Sequence, residues 1–177
     1  MTLATQARAV LTSWDPLDAD QAALRDEYIA HIDGFDDAMY RSCIPGHFTA
    51  ITLILDHSRE KVLLTLHPKV GLWLQMGGHC EPGDATLQDA AAREAREESG
   101  IVDLILSAEP VRLDRHRVGC HGGSWHLDVQ YVAIAPADAR EAISDESLDL
   151  AWFAVDDLPD LTDDALRALV TASLQST

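Results

Sequence analysis

The run Arg93-Glu94-Ala95-Arg96-Glu97-Glu98 carries the densest chemistry in the chain. Each residue of an α-helix turns about 100°, so side chains at i, i+3 and i+4 share one arc and are neighbours. Glu94, Glu97 and Glu98 have that spacing. Glutamates on a helix usually form a solvated face, but their phase here opposes it. Leu87, Ala90 and Ala91 occupy the same arc one to two turns earlier, while Gln88, Asp89, Ala92 and Arg96 fall on the other side. The carboxylates therefore continue the apolar stripe. Like charges at this spacing cost about 0.2–0.5 kcal/mol even when exposed. Burial and the negative end of the helix dipole both raise that cost. A cation relieves it, and an all-oxygen donor set suits Mg2+, Mn2+ or Ca2+ rather than zinc.

The preceding loop fits such a site. Gly77-Gly78 lets backbone approach a ligand closely, and Glu81-Pro82-Gly83-Asp84 has proline and glycine where a tight turn wants them. Together, Gly78-His79-Cys80-Glu81-Pro82-Gly83-Asp84 and Arg93 to Ile101 resemble the Nudix box, G-x5-E-x7-R-E-U-x-E-E-x-G-U, where U is a bulky aliphatic residue. The resemblance covers 24 residues, Gly78 to Ile101. Trp152-Phe153-Ala154-Val155-Asp156-Asp157-Leu158-Pro159 is similar to a tryptophan-led segment often seen before the last helix of that family. Three positions depart from the motif. Asp84 stands for the first glutamate, eight residues rather than seven separate it from Arg93, and Ala95 replaces the bulky aliphatic.

The resemblance implies a divalent-metal-dependent hydrolase of a phosphoanhydride bond in a nucleoside diphosphate linked to another group. It implies Mg2+, or Mn2+, held by Glu94, Glu97, Glu98 and the Gly78 carbonyl, with Arg93 orienting the glutamates. One of the glutamates, or a loop carboxylate such as Glu146, would activate water. That chemistry agrees with the residues themselves, since phosphoanhydride hydrolysis needs charge neutralisation and in-line positioning of water. The alternative is a Nudix-like domain that senses a nucleotide without cleaving it. An intact glutamate trio favours the enzyme. The family's markers for ADP-ribose and for dinucleoside polyphosphates, a proline near His116 and a tyrosine near Val118, are absent, and Met76 replaces the proline that often precedes the paired glycines. The substrate therefore stays open.

Other residues carry two readings each. Arg112, Arg115 and Arg117 suit substrate phosphates, or ion pairs with the many acidic residues; Arg112 faces the opposite side of a strand from the other two. His126, Asp128 and Gln130 alternate with Leu127, Val129 and Tyr131, as a pocket lining or as a solvent-facing sheet surface. The substrate-binding candidates are Arg115, Arg117, His126 and Asp128. His79-Cys80, His116 and Cys120-His121 raise the question of zinc, but lack the short spacings of a zinc motif. Trp73 and Trp125 fit core packing better than base stacking.

These residues need a scaffold. Residues 3–33 show helical periodicity, broken at Trp14-Asp15-Pro16, and Gly34 stops the second helix. Phe48–Leu55 and Lys61–Leu66 read as a hairpin. A helix over about Ala85 to Ser99 has Asp84 or Thr86 as its cap, Asp89 completing a capping box, and Gly100 as its stop. Val111–Val118, Trp125–Ala135 and Leu148–Val155 read as strands, and Asp163–Leu174 as a terminal helix. The expected fold is α/β: a Nudix-like α/β/α sandwich with a mixed sheet over residues 47–177, and an N-terminal helical extension, residues 1–46, packed on it.

Composition bounds the rest. At 177 residues the prior is one domain with a core of its own. Thirteen Lys+Arg against 30 Asp+Glu give a net charge of −17. That balance argues against nucleic acid and against an anionic membrane surface as partners. The expected partner is a nucleotide-type small molecule, with a homodimer left open. There is no apolar run of membrane-spanning length and no signal-peptide pattern, and three widely spaced cysteines suit free thiols, so the expected location is cytoplasmic.

Overall fold

The structure, a computed structural model, describes residues 1–118, 123–145 and 147–175. Cys120, His121 and Glu146 lie outside the described residues. The chain begins with α1 (Leu3–Ser13) and α2 (Ala19–Gly34). Thr2 and Asp18 cap their N-termini through side-chain oxygens, and the break between them falls at Trp14-Asp15-Pro16 as the sequence predicts. The strands are β1 (Gly46–Leu55), β2 (Lys61–Leu66), β3 (Trp73–Leu74), β4 (Met76–His79), β5 (Ile105–Leu106), β6 (Arg112–Arg117), β7 (Trp125–Ile134) and β8 (Leu150–Ala154). Between β4 and β5 runs α3 (Leu87–Ser99), and α4 (Asp164–Gln175) ends the fold.

One mixed sheet is built on a parallel pair, β1 and β7, registered along their full length from Gly46 with Trp125 to Leu55 with Ile134. Both strands fork. β1 meets β4 antiparallel over Thr49–Thr52 and β2 only at Ile54 and Leu55. β7 meets β6 over Trp125–Gln130 and β5 at its far end. β2 continues outward to β3 and β8.

Alternation along β1 sorts the two faces of the sheet. Phe48 and Ala50 pack in a core with Leu87, Ala90 and Ala91 of α3 and with Leu3, Ala7, Leu11 and Tyr28 of the N-terminal helices. Ile51, Leu53 and Leu55 point the other way, into a core with Leu166, Leu169 and Val170 of α4. The result is an α/β/α arrangement. The first two helices are bonded into it. Buried Gln21 donates to the Leu113 carbonyl at 3.0 Å and accepts from the Leu113 N–H at 2.8 Å, and Gln6 Oε1 accepts from the Leu87 N–H at the start of α3.

α3 is capped by Thr86, whose hydroxyl oxygen accepts from the Asp89 N–H at 2.9 Å, and it stops at Gly100, whose φ of 70° is cheap only for glycine. Leu87, Ala90 and Ala91 are fully buried, as the phase requires. Ala92 corrects that reading. It was expected on the outer side and is 8% exposed, because α3 touches α1 as well as the sheet. Among the described residues no helix is long and apolar enough to cross a membrane.

Candidate active site

The last turns of α3 bring Glu94, Glu97 and Glu98 to the rim of a cleft of about 1090 Å³. Arg93 ties the rim together. Its guanidinium takes Asp84 in two parallel bonds of 3.1 and 3.0 Å. It also reaches Glu94 at 2.9 Å, Glu97 at 3.2 Å and the His79 carbonyl at 2.9 Å. The hydrogen bonds to Asp84, then those to Glu94, push its pKa up, so it stays cationic. The aspartate that replaces the motif's glutamate thus still partners the arginine. The Glu81–Asp84 turn is closed by Asp84 accepting from the Glu81 N–H at 2.7 Å, and α3 begins at Leu87 with Thr86 as its cap.

The paired glycines explain how a helix on one face of the sheet reaches a cleft that opens on the other. β4 pairs only with β1 and forms an edge there. A Cβ on Gly78 would stand 2.7 Å from the Glu94 carboxyl group, and one on Gly77, whose φ is 151°, would meet Ile51 Cδ1 at 2.5 Å. With no side chains in the way, the glutamates pass over the edge, and the Gly77 N–H donates to Glu98 Oε2 at 3.3 Å.

The imidazoles of His79, His116 and His126 line the floor of the cleft, and fully buried His47 packs against two of them. His47 and His126 are direct partners on β1 and β7, and His79 on β4 lies opposite Thr49, two residues along the same face of β1. His116 on β6 pairs with His126. Ring centroids stand 5.1 Å apart for His47 and His79, 4.9 Å for His47 and His126, and 5.0 Å for His79 and His126. Burial, then the neighbouring His126, Arg41 and His47, lower His79 to about 3. Burial, then His116, His47 and Arg41, lower His126 to about 4. Both are neutral at pH 7. His116 goes the other way, raised first by its 3.1 Å contact with Asp128. Asp128 also accepts from the Thr49 hydroxyl.

His126 and Asp128 therefore do line the cleft. A solvent-facing surface for their strand is excluded, since Asp128 is 2% and Gln130 1% exposed. Arg115 and Arg117 are not brought to the cleft. Arg115 pairs with Glu27, and both guanidiniums lie over the Trp125 ring, at 4.9 and 5.3 Å. Arg112 pairs with Asp114 at 3.0 Å. The cations that do face the cleft, Arg41 and Lys69, come from segments outside the strands and helices and carry no spacing signal. Cys80, at the edge of the cleft, is buried in the core, which pushes its thiol up to about 12. Trp73 packs on Phe153 at 4.8 Å.

The NUDIX domain model matches residues 46–173. The chain belongs to the Nudix family. Among solved structures, a Nudix-family hydrolase from Clostridium perfringens is 25% identical, with a TM-score of 0.62 over 74% of this chain and 98% of that one. A MutT Nudix hydrolase from Burkholderia pseudomallei is also 25% identical, with a TM-score of 0.56 over 71% and 95%. The Nudix domain of Shewanella oneidensis NrtR, crystallised with ADP ribose, shares the fold at 23% identity and a TM-score of 0.58, over 86% and 98%. Comparison with curated proteins gives no match. The chain is a Nudix hydrolase.

Proposed function

We propose that this Nudix hydrolase cleaves a phosphoanhydride bond in a nucleoside diphosphate linked to another group, and that it requires Mg2+ or Mn2+. The observation that carries the reading is the rim itself: three glutamates from one helix, cross-braced by Arg93, facing a cleft whose other charged lining includes Arg41 and Lys69. The donor set fits a hard divalent cation, and the Gly78 position is a cradle that any Cβ would fill. Glu94, Glu97, Glu98 and the Gly78 carbonyl would hold the ion, which supplies charge neutralisation at the phosphates. Arg93 keeps the carboxylates converged without competing for the cleft, because its own charge is spent on Asp84, Glu94 and Glu97. Arg41 and Lys69 meet phosphate oxygens, and His126 and Asp128 border the bound substrate. One glutamate takes the proton of the attacking water. Sensing without cleavage has no use for all three carboxylates.

The test is a panel of nucleoside diphosphate sugars, dinucleotides and dinucleoside polyphosphates with Mg2+ or Mn2+, read by phosphate and nucleotide release. Turnover of at least one, abolished by chelator, is expected. Tight binding of a panel member with no turnover of any would move the reading to a sensor.

A further inference from the structure

We propose that His47, His79 and His126 form a second metal site, chemically distinct from the glutamate rim and suited to a borderline-soft divalent ion, Zn2+ foremost. One ring nitrogen from each lies within 4.8 Å of the other two. The three residues stand on one face of three adjacent strands, β4, β1 and β7, so the backbone fixes their convergence. A tetrahedral site with zinc–nitrogen bonds near 2.0–2.1 Å needs nitrogens about 3.4 Å apart, a modest closure of the 4.8 Å within which these lie. His79 Nε2 and His126 Nε2 are buried and, among the described residues, have no hydrogen-bond partner. A buried acceptor or donor left so is costly, and a metal ion removes the cost. His47 Nδ1 lies 3.4 Å from the Cys43 carbonyl. A proton given to that carbonyl puts the ring's lone pair on Nε2, the arrangement in which backbone carbonyls orient ligand histidines.

A second grouping, His116, His126 and Asp128, shares one member. It is the poorer site. Asp128 is already engaged by Thr49 through Oδ1 and by His116 through Oδ2, and an ion there would compete with the His116 contact. Left intact, the two contacts hold Asp128 and His116 beside the triad. Three protein nitrogens leave one coordination position toward the cleft, the pattern of an open rather than a structural zinc site. Imidazole nitrogen selects zinc, cobalt, nickel or copper over magnesium, so the two sites sort ions by donor chemistry. This inference does not depend on the glutamate rim being catalytic.

The experiment uses the full chain, stripped with chelator and dialysed. Titration with Co2+ is followed by visible absorption, and Zn2+ content is measured after dialysis. Expected are about one equivalent of retained Zn2+ and a nitrogen-ligated Co2+ spectrum that Zn2+ erases and excess Mg2+ does not. His79→Asn and His126→Asn should each weaken Zn2+ binding by at least about 100-fold. Glu94→Gln and Glu98→Gln should leave it intact, as should His116→Asn. Absence of retained Zn2+ in the unmutated protein overturns the proposal. So does a weak, octahedral Co2+ spectrum, or loss of Zn2+ on the glutamate variants with retention on the histidine ones. The spectrum of the unmutated chain keeps the test decisive should a histidine variant fail to fold.

Discussion

The rim and the floor of the cleft are built in opposite ways. The rim is local: Glu94, Glu97 and Glu98 come from two turns of one helix, Arg93 beside them bonds Glu94 and Glu97, and the Gly77 N–H donates to Glu98. The floor is distributed: His79, His116 and His126, with His47 packed against them, come from β4, β6, β7 and β1, and the strand registers do the positioning. Charge differs as sharply. The rim gathers anions, two of them paired with Arg93. The floor holds His79 and His126, kept neutral because burial and the neighbouring rings and Arg41 deny them protons, beside His116, whose pKa Asp128 raises. On the proposed reading a hard cation would stabilise the first arrangement, and acid should destabilise the second.

The largest effect is expected at the rim. Glu98→Gln keeps shape and removes charge, so kcat should fall by at least about 100-fold, some 2.7 kcal/mol of transition-state stabilisation. The metal-free variant should melt no lower than the unmutated protein, because repulsion has been relieved. Mg2+ should raise its Tm less, since an ion that binds only the folded chain stabilises it by mass action. Arg96→Gln is the control. Arg96 is exposed and bonds the Val102 carbonyl at 3.2 Å, away from the cleft, and turnover should be unchanged. Kinetics and melts with and without Mg2+ check both. Equal Mg2+ stabilisation and equal turnover in Glu98→Gln would reduce the rim to a solvated face.

Next comes the cationic side of the cleft. Arg41→Gln should raise KM about 10-fold with little change in kcat, the loss of roughly 1.4 kcal/mol of charge-assisted contact to a phosphate. A fall in kcat at constant KM would instead put Arg41 in the reaction step.

The floor answers to pH. In the metal-free protein His79 and His126 have folded pKa values near 3 and 4, against 6.5 for a free histidine. Between those values the unfolded chain binds more protons, so stability rises with pH. Their contribution is complete above about 6.5 and drains away as the pH falls toward 4. His116, raised by Asp128, runs the other way: its contribution is present at low pH and lost as pH rises through its folded value. Melts of the stripped protein should show Tm a few degrees lower at pH 5 than at pH 7. The double variant His79→Asn/His126→Asn should flatten that slope. An unchanged slope would mean that the acid sensitivity lies elsewhere.

The same contrast explains what the sequence makes legible. The helix spacing, its cap at Thr86 and its stop at Gly100 are all contained in one short stretch, and phase places Glu94 and Glu98 on a partly buried face while Glu97 is 60% exposed. The strands β1, β2, β6, β7 and β8 and the two N-terminal helices follow from periodicity and breaks. β4 escapes because its glycines read as loop, and β5 because two residues carry no pattern. The histidine floor escapes for a different reason. His79 and His126 stand far apart in the chain, only the β1–β7 and β1–β4 registers bring them beside His47, and His47 itself belongs to no motif. The alternation of His126, Asp128 and Gln130 shows a polar face without saying that other segments cover it. Three arginines on one strand attract attention by density, whereas Arg41 and Lys69 stand alone in loops and reach the cleft.

The smallest expected effect marks where the cleft ends. Arg115→Gln removes a half-exposed pair with Glu27 and one of two guanidiniums over Trp125. Exposed ion pairs contribute about 0–1 kcal/mol, and an exposed cation–π contact is of similar size. Arg117 remains over the ring when Arg115 is gone. Stability should therefore change by less than about 1 kcal/mol. KM and kcat should match the unmutated enzyme on the same substrate for which Arg41→Gln raises KM. The pair of measurements separates density of charge from direction of charge. Arg115 lies in the richest basic stretch of the chain, and its guanidinium is turned toward α2 and Trp125 rather than into the cleft. A KM increase in Arg115→Gln equal to that of Arg41→Gln would carry the substrate out along β6, past Trp125, and would dissolve the distinction between the cleft and the outer face of that strand.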